Sequence, residues 1–71
     1  MGKYSHETLR HLKPGDRLLL RFGSRGKQTA VFVRWSNSER CGIMAVVQKY
    51  RARSKKFTKN VRVEICEILE V

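Results

Sequence analysis

Apolar and polar positions alternate along much of the chain. In DRLLLRF (16–22), Leu18, Leu20 and Phe22 alternate with Arg17, Leu19 and Arg21. A period of two marks a strand with one buried face. This predicts a strand in DRLLLRF (16–22) with Leu18, Leu20 and Phe22 on one face, and Leu19 breaking the pattern. QTAVFVRW (28–35) is rich in β-branched and aromatic residues and predicts a second strand. Its apolar residues fall on both phases. Either Val31, Val33 and Trp35 point inward, or Ala30 and Phe32 do, and two apolar faces suggest cover on both sides. CGIMAVVQKY (41–50) reads as a long third strand whose Gly42 invites a bulge or sharp bend. In VRVEICEILEV (61–71), Val61, Val63 and Ile65 alternate with Arg62 and Glu64. The phase then slips to Cys66, Ile68 and Leu69, as after a bulge or a short final turn.

The segments between are turn-like. In KPGD (13–16), Pro14 pre-sets φ for the second position of a turn and Gly15 supplies the positive φ of a type II turn. GSRGK (23–27) reads as a hairpin connection and SNSER (36–40) as another turn. SHETLRHL (5–12) predicts a short helix: Ser5 suits an N-cap, Glu7 and Thr8 a first turn, and Leu9 and Leu12 one shared face. So short a helix must pack on the rest of the fold to persist.

With 71 residues the expectation is one domain, 1–71, with one small core and little room for a deep enzyme cleft. Short strands at regular spacing point to a mainly β fold, a small barrel of four or five strands with a short N-terminal helix. The order of a short helix, a KPGD turn, a Gly-rich hairpin, a long bendable strand and a short closing strand resembles the SH3-like and Sm-like small β-barrels. LKPGDRLLLRF (12–22) carries much of that likeness, because in many SH3-like barrels a PGD-type turn leads into the first strand. The resemblance implies nucleic-acid binding, peptide binding or a role in protein assemblies. It covers both ring-forming Sm-like and monomeric SH3-like members, so the oligomeric state stays open.

Charge narrows the choice of partner. Sixteen Lys and Arg against six Asp and Glu give a net charge of +10. Three of the acids, Glu64, Glu67 and Glu70, fall in the last eight residues, and only Asp16 and Glu39 lie between Gly15 and Asn60. The middle of the chain is cationic and repels itself. A polyanion offsets that cost, with nucleic acid first among candidates.

KYRARSKKFTKN (49–60) is the sharpest local signal. It carries Lys49, Arg51, Arg53, Lys55, Lys56 and Lys59 with no acid, and Tyr50 and Phe57 among them. Each cation that neutralises a phosphate releases counterions, and aromatic rings stack on exposed bases. In a strand, Lys49, Arg51, Arg53 and Lys55 would share one face as an electrostatic stripe. Arg25 and Lys27 beside the first hairpin, and Arg34 and Arg40 beside the next turn, complete the expected nucleic-acid-binding set. The bland reading is that these cations keep an exposed hairpin soluble and blunt an edge strand. Trp35 fits a core better than a stacking platform. The function expected is a small basic nucleic-acid-binding protein, for RNA or DNA, acting mainly through phosphates. The alternative is a protein-interaction module or small inhibitor that docks on an acidic partner. A ribosome-associated or assembly protein would touch both RNA and protein.

The sequence offers little for catalysis. It has no P-loop, no HExxH, no nucleophile elbow and no paired-carboxylate signature. His6 and His11 are five apart, against the three or four of a helical metal pair, and Glu7 and His11 suit only a weak surface contact. No enzyme, no cofactor and no metal are expected. Cys41 and Cys66 form no CxxC and read as small core residues. A disulfide between neighbouring strands is the sharper alternative, and the arginine beside Cys41 could lower its pKa. No apolar run approaches the ~20 residues of a membrane span, so no membrane partner and a cytoplasmic location are expected.

Overall fold

The computed structural model describes residues 4–40 and 42–71. Cys41, with the readings attached to it, lies outside the described residues.

The chain enters through two successive turns, and no helix forms over 5–12. The Leu9 amide donates to the Ser5 and His6 carbonyls, both at 3.2 Å, and the Leu12 amide to Leu9 at 3.0 Å. No longer ladder follows. Nucleating a helix is costly, and Pro14 forbids lengthening this one. Thr8 also competes locally: its Oγ1 donates to the Ser5 carbonyl at 2.8 Å and accepts from the Ser5 amide at 2.9 Å. Leu9 and Leu12 are nevertheless buried together in the core, as their spacing predicts.

Pro14 and Gly15 then occupy the centre of a tight turn. Gly15 has φ 98°, and the Asp16 amide donates to the Lys13 carbonyl at 3.0 Å. The Asp16 carboxylate accepts from the Lys13 amide at 2.9 Å, locking the turn that aims the first strand.

Strands β1 (Arg17–Phe22) and β2 (Gly26–Ser38) form an antiparallel hairpin. At its tip Gly26 faces Phe22, and a Cβ on Gly26 would lie 2.6 Å from the Phe22 carbonyl oxygen. Only glycine fits there. β2 runs to Ser38, so the turn expected over 36–40 is shorter and begins at Glu39. β3 (Gly42–Arg51) returns along β2 from Ser38↔Gly42 to Ala30↔Lys49. The register irregularity falls at Val33, between Phe32↔Val47 and Arg34↔Val46; Gly42 instead makes a bend, with φ 73° at the start of β3. One extra residue in β2 shifts its phase. Ala30 and Phe32 are buried before the bulge, and Trp35 packs on the core after it. Val31 and Val33 are only half-buried. Neither single-phase reading of β2 is therefore complete.

β4 (Lys56–Phe57) pairs with the end of β3, and β5 (Val61–Val63) with its middle. A 3₁₀ turn, Ile65–Glu67, causes the phase slip expected here and leads into β6 (Ile68–Glu70), which pairs with β1. The result is a mainly β fold, a six-stranded antiparallel sheet ordered β4-β3-β2-β1-β6 with β5 also beside β3. That exceeds the expected four or five strands because β4, β5 and β6 are very short. The core joins Leu18, Leu20, Ala30, Phe32, Ala45, Val47, Val63 and Ile68 with Leu9 and Leu12.

Cys66 is exposed and free, not a core residue. It lies in the 3₁₀ turn, and its thiol donates to the Glu64 carboxylate at 3.4 Å. That bond, loss of water, and the negative charges of Glu64 and Glu67 push the thiol above its ordinary pKa. Among the described residues, no helix is long and apolar enough to cross a membrane, and no cluster of three His, Cys, Asp or Glu side chains stands ready for a metal.

Candidate nucleic-acid interface

The pairing register brings two hairpin tips to one end of the molecule. Ala30 pairs with Lys49, so β2 runs back toward Gly26 as β3 runs on toward Arg51. The 23–25 turn and the 52–55 turn therefore stand side by side. The Gln28 amide nitrogen donates to the Tyr50 carbonyl at 3.3 Å and ties one hairpin to the other. Between them lies an open groove of about 860 Å³, with Phe22, Lys27 and Gln28 on one bank and Lys49, Tyr50, Arg51 and Arg53 on the other.

The basic stretch folds as a hairpin and not as one continuous strand. Lys49 and Arg51 stay on β3, but Ala52–Lys55 form a turn, with Lys55 at φ 54°. The four-residue stripe expected over Lys49, Arg51, Arg53 and Lys55 is thus broken, and its second half wraps around the tip. Thr58 secures the return strand: its amide donates to the Lys49 carbonyl at 2.8 Å, and its Oγ1 accepts from the Lys49 amide at 3.0 Å. The same hydroxyl donates to the Lys59 carbonyl at 2.9 Å, which holds Lys59 just beyond the hairpin.

One feature of this hairpin opposes stability and another leaves a ring open. Arg51 stands directly opposite Lys56, and like charges in that position repel. Tyr50 faces Phe57 with ring centroids 5.2 Å apart, yet Phe57 stays 50% exposed. Counter-charge is scarce. Among the described residues the only ion pair is Lys27–Glu70, at 3.8 Å and well exposed on both sides, where such pairs contribute little.

The remaining expected residues separate. Arg25 sits in the 23–25 turn, at the groove end. Arg34 lies in mid-β2, past the bulge, and Arg40 in the turn at the far end of β2, in a molecule 33 Å along its longest axis. Arg34 has a different neighbour. It and Arg62 flank Val46 on adjacent strands, and Val46 is only 2% exposed although it lies outside the main core cluster. Long arginine stems cover apolar surface in this way. Trp35 is no platform: it packs on the core, 5.1 Å from Phe32 and edge-on to His6 at 4.7 Å. Its buried Nε1 has no hydrogen-bond partner.

Phe22 is the residue that alternation misplaces. Its parity matches Leu18 and Leu20, yet it is 61% exposed and lines the groove. Its partner Gly26 has no side chain to cover it, and the hairpin carries it past the end of the core. Gln28 and Arg62 were likewise invisible as contributors, because their roles depend on which strand lies beside them.

The chain matches no protein-family model, no curated protein and no solved structure.

Proposed function

We propose that the two-hairpin end is a nucleic-acid-binding surface and that the protein is a small non-enzymatic binder acting mainly through phosphates. The observation that carries this reading is the convergence of Arg25, Lys27, Lys49, Arg51, Arg53, Lys55 and Lys56 on adjacent hairpins, where among the described residues the one ion pair to an acid is Lys27–Glu70. Placing Arg51 opposite Lys56 costs stability, and phosphates bound between them reverse the sign of that interaction. The sheet in this reading curls into an SH3-like or Sm-like barrel. Support comes from the 3₁₀ turn that links β5, beside β3, to β6, beside β1, and from a core shared by β1, β2, β3, β5 and β6. The cytoplasm is the compartment that suits a free thiol at Cys66.

The test is fluorescence anisotropy with nuclease-treated protein and labelled oligonucleotides across a salt series. Log affinity should fall linearly with log salt, by about 0.7 to 0.9 per phosphate contacted. Replacing Arg51, Arg53, Lys55 and Lys56 together by Glu should abolish binding with an unchanged circular dichroism spectrum. Binding that persists in that variant makes the hairpin a solvated face. A complex that survives nuclease and forms with an acidic protein instead favours the protein-docking alternative.

A further inference from the structure

Phosphate binding gives Phe22 no role, and the base stacking expected of Tyr50 and Phe57 needs unpaired bases. Two of the three phenylalanines are half or more exposed, and both lie at the cationic end; the third, Phe32, is in the core. Phosphate contacts alone need no aromatic rings. Phe22 lines the groove beside Lys27, and Phe57 meets the edge of Tyr50, a residue of the opposite bank. Arg51 and Arg53 share that bank with Tyr50. Phe22 and Tyr50 line one groove with Lys27, Lys49, Arg51 and Arg53, and Phe57 backs Tyr50 edge-on; rings beside cations match a strand whose bases are free. The phosphates meet the cations, and the bases stack on the rings. A duplex offers only its phosphates and groove edges, because its base faces are already occupied.

Resting on the nucleic-acid reading above, we infer that this groove takes single-stranded nucleic acid, with bases stacked on Phe22 and on the Tyr50–Phe57 pair. Recognition runs through phosphates and base faces, which every base presents, so sequence preference is weak. The Gln28 bond to the Tyr50 carbonyl holds the two banks at a set separation, so the rings are placed before the strand arrives.

The experiment compares oligo(dT), oligo(U) and blunt duplexes of equal length with the full chain, at one salt concentration and then across a series. Single strands are expected to bind at least tenfold tighter than duplex. Phe22→Ala and Phe57→Ala should each weaken single-strand binding about five- to a hundredfold, the loss of one stacked base. Their salt slopes should stay at the wild-type value, since no phosphate contact is removed. Phe22→Trp keeps a ring face and should retain affinity, whereas Phe22→Leu keeps bulk without a face and should not. Phe22 is exposed, so these variants are expected to melt like the wild type.

Salt-dependent binding with duplex equal or preferred overturns the inference and leaves the phosphate reading standing. So does undiminished single-strand affinity in both alanine variants. If no oligonucleotide binds in a salt-dependent way, both readings fall together.

Discussion

The two ends of the sheet treat their aromatic residues in opposite ways. Toward the far end of β2, Trp35 is partly buried against the core: the turns over 5–12 bring His6 edge-on to its ring, and Leu9 and Leu12 into the core it packs on. At the two-hairpin end, Phe22 and Phe57 lie open, and Phe22 lines a groove with Lys27, Lys49, Arg51 and Arg53. The 5–12 segment packs over the Trp35 end. What stays uncovered at the other end is therefore informative. Scattered exposed apolar residues need no explanation, but two rings beside one cationic groove call for a partner.

The largest effect should come from damage to the covered core with the open end left intact. Phe32→Ala should destabilise the fold by about 3–5 kcal/mol, which is enough to unfold much of the population of a marginal domain, as read by thermal melting. Any oligonucleotide affinity that remains should scale with the folded fraction. At the open end the signs reverse. Arg51→Glu replaces a repulsive cross-strand pair with an attractive one, because Lys56 lies opposite. It should raise stability by about 0.2–1 kcal/mol while weakening nucleic-acid binding. A variant that gains stability and loses binding together would mark the hairpin as built for a ligand. Gln28→Ala should cost about 0.5–1.5 kcal/mol through the lost bond to Tyr50, with a further loss of affinity as the groove loosens.

The smallest effect lies at neither end. Because Glu64 holds the Cys66 thiol above its ordinary pKa, less thiolate is present at neutral pH. Alkylation at Cys66, followed by peptide mass mapping, should be slower than for an ordinary exposed thiol. Glu64→Gln should speed it up.

Much of this architecture was readable in the residues. Alternation located β1, β2 and β3, and Pro14-Gly15 located the turn that aims β1, because strand period and turn φ are local properties. The failures came where an answer depends on neighbours. Alternation tells which side Phe22 takes but not that the core ends before it, and Gly26 leaves it bare. The mixed phase of β2 is resolved by a bulge at Val33 that no Gly or Pro announces. Ser5 and Thr8 make the local hydrogen bonds of a helix start, but the turns end before a ladder can propagate. The basic stretch announced its charge, and the register of β2 on β3 set which other cations joined it. Arg25 and Lys27 are at its end, whereas Arg34 and Arg40 are not.

The most direct measurement is an amide chemical-shift map of the uniformly ¹⁵N-labelled protein, titrated with a short single-stranded oligonucleotide at moderate salt. Shifts should concentrate in residues 22–29 and 49–59, with 35–40 and the core amides of β5 and β6 unmoved. Shifts centred on the far end of β2 or on Arg34 and Arg62, or no shifts anywhere, would contradict binding at the two-hairpin end.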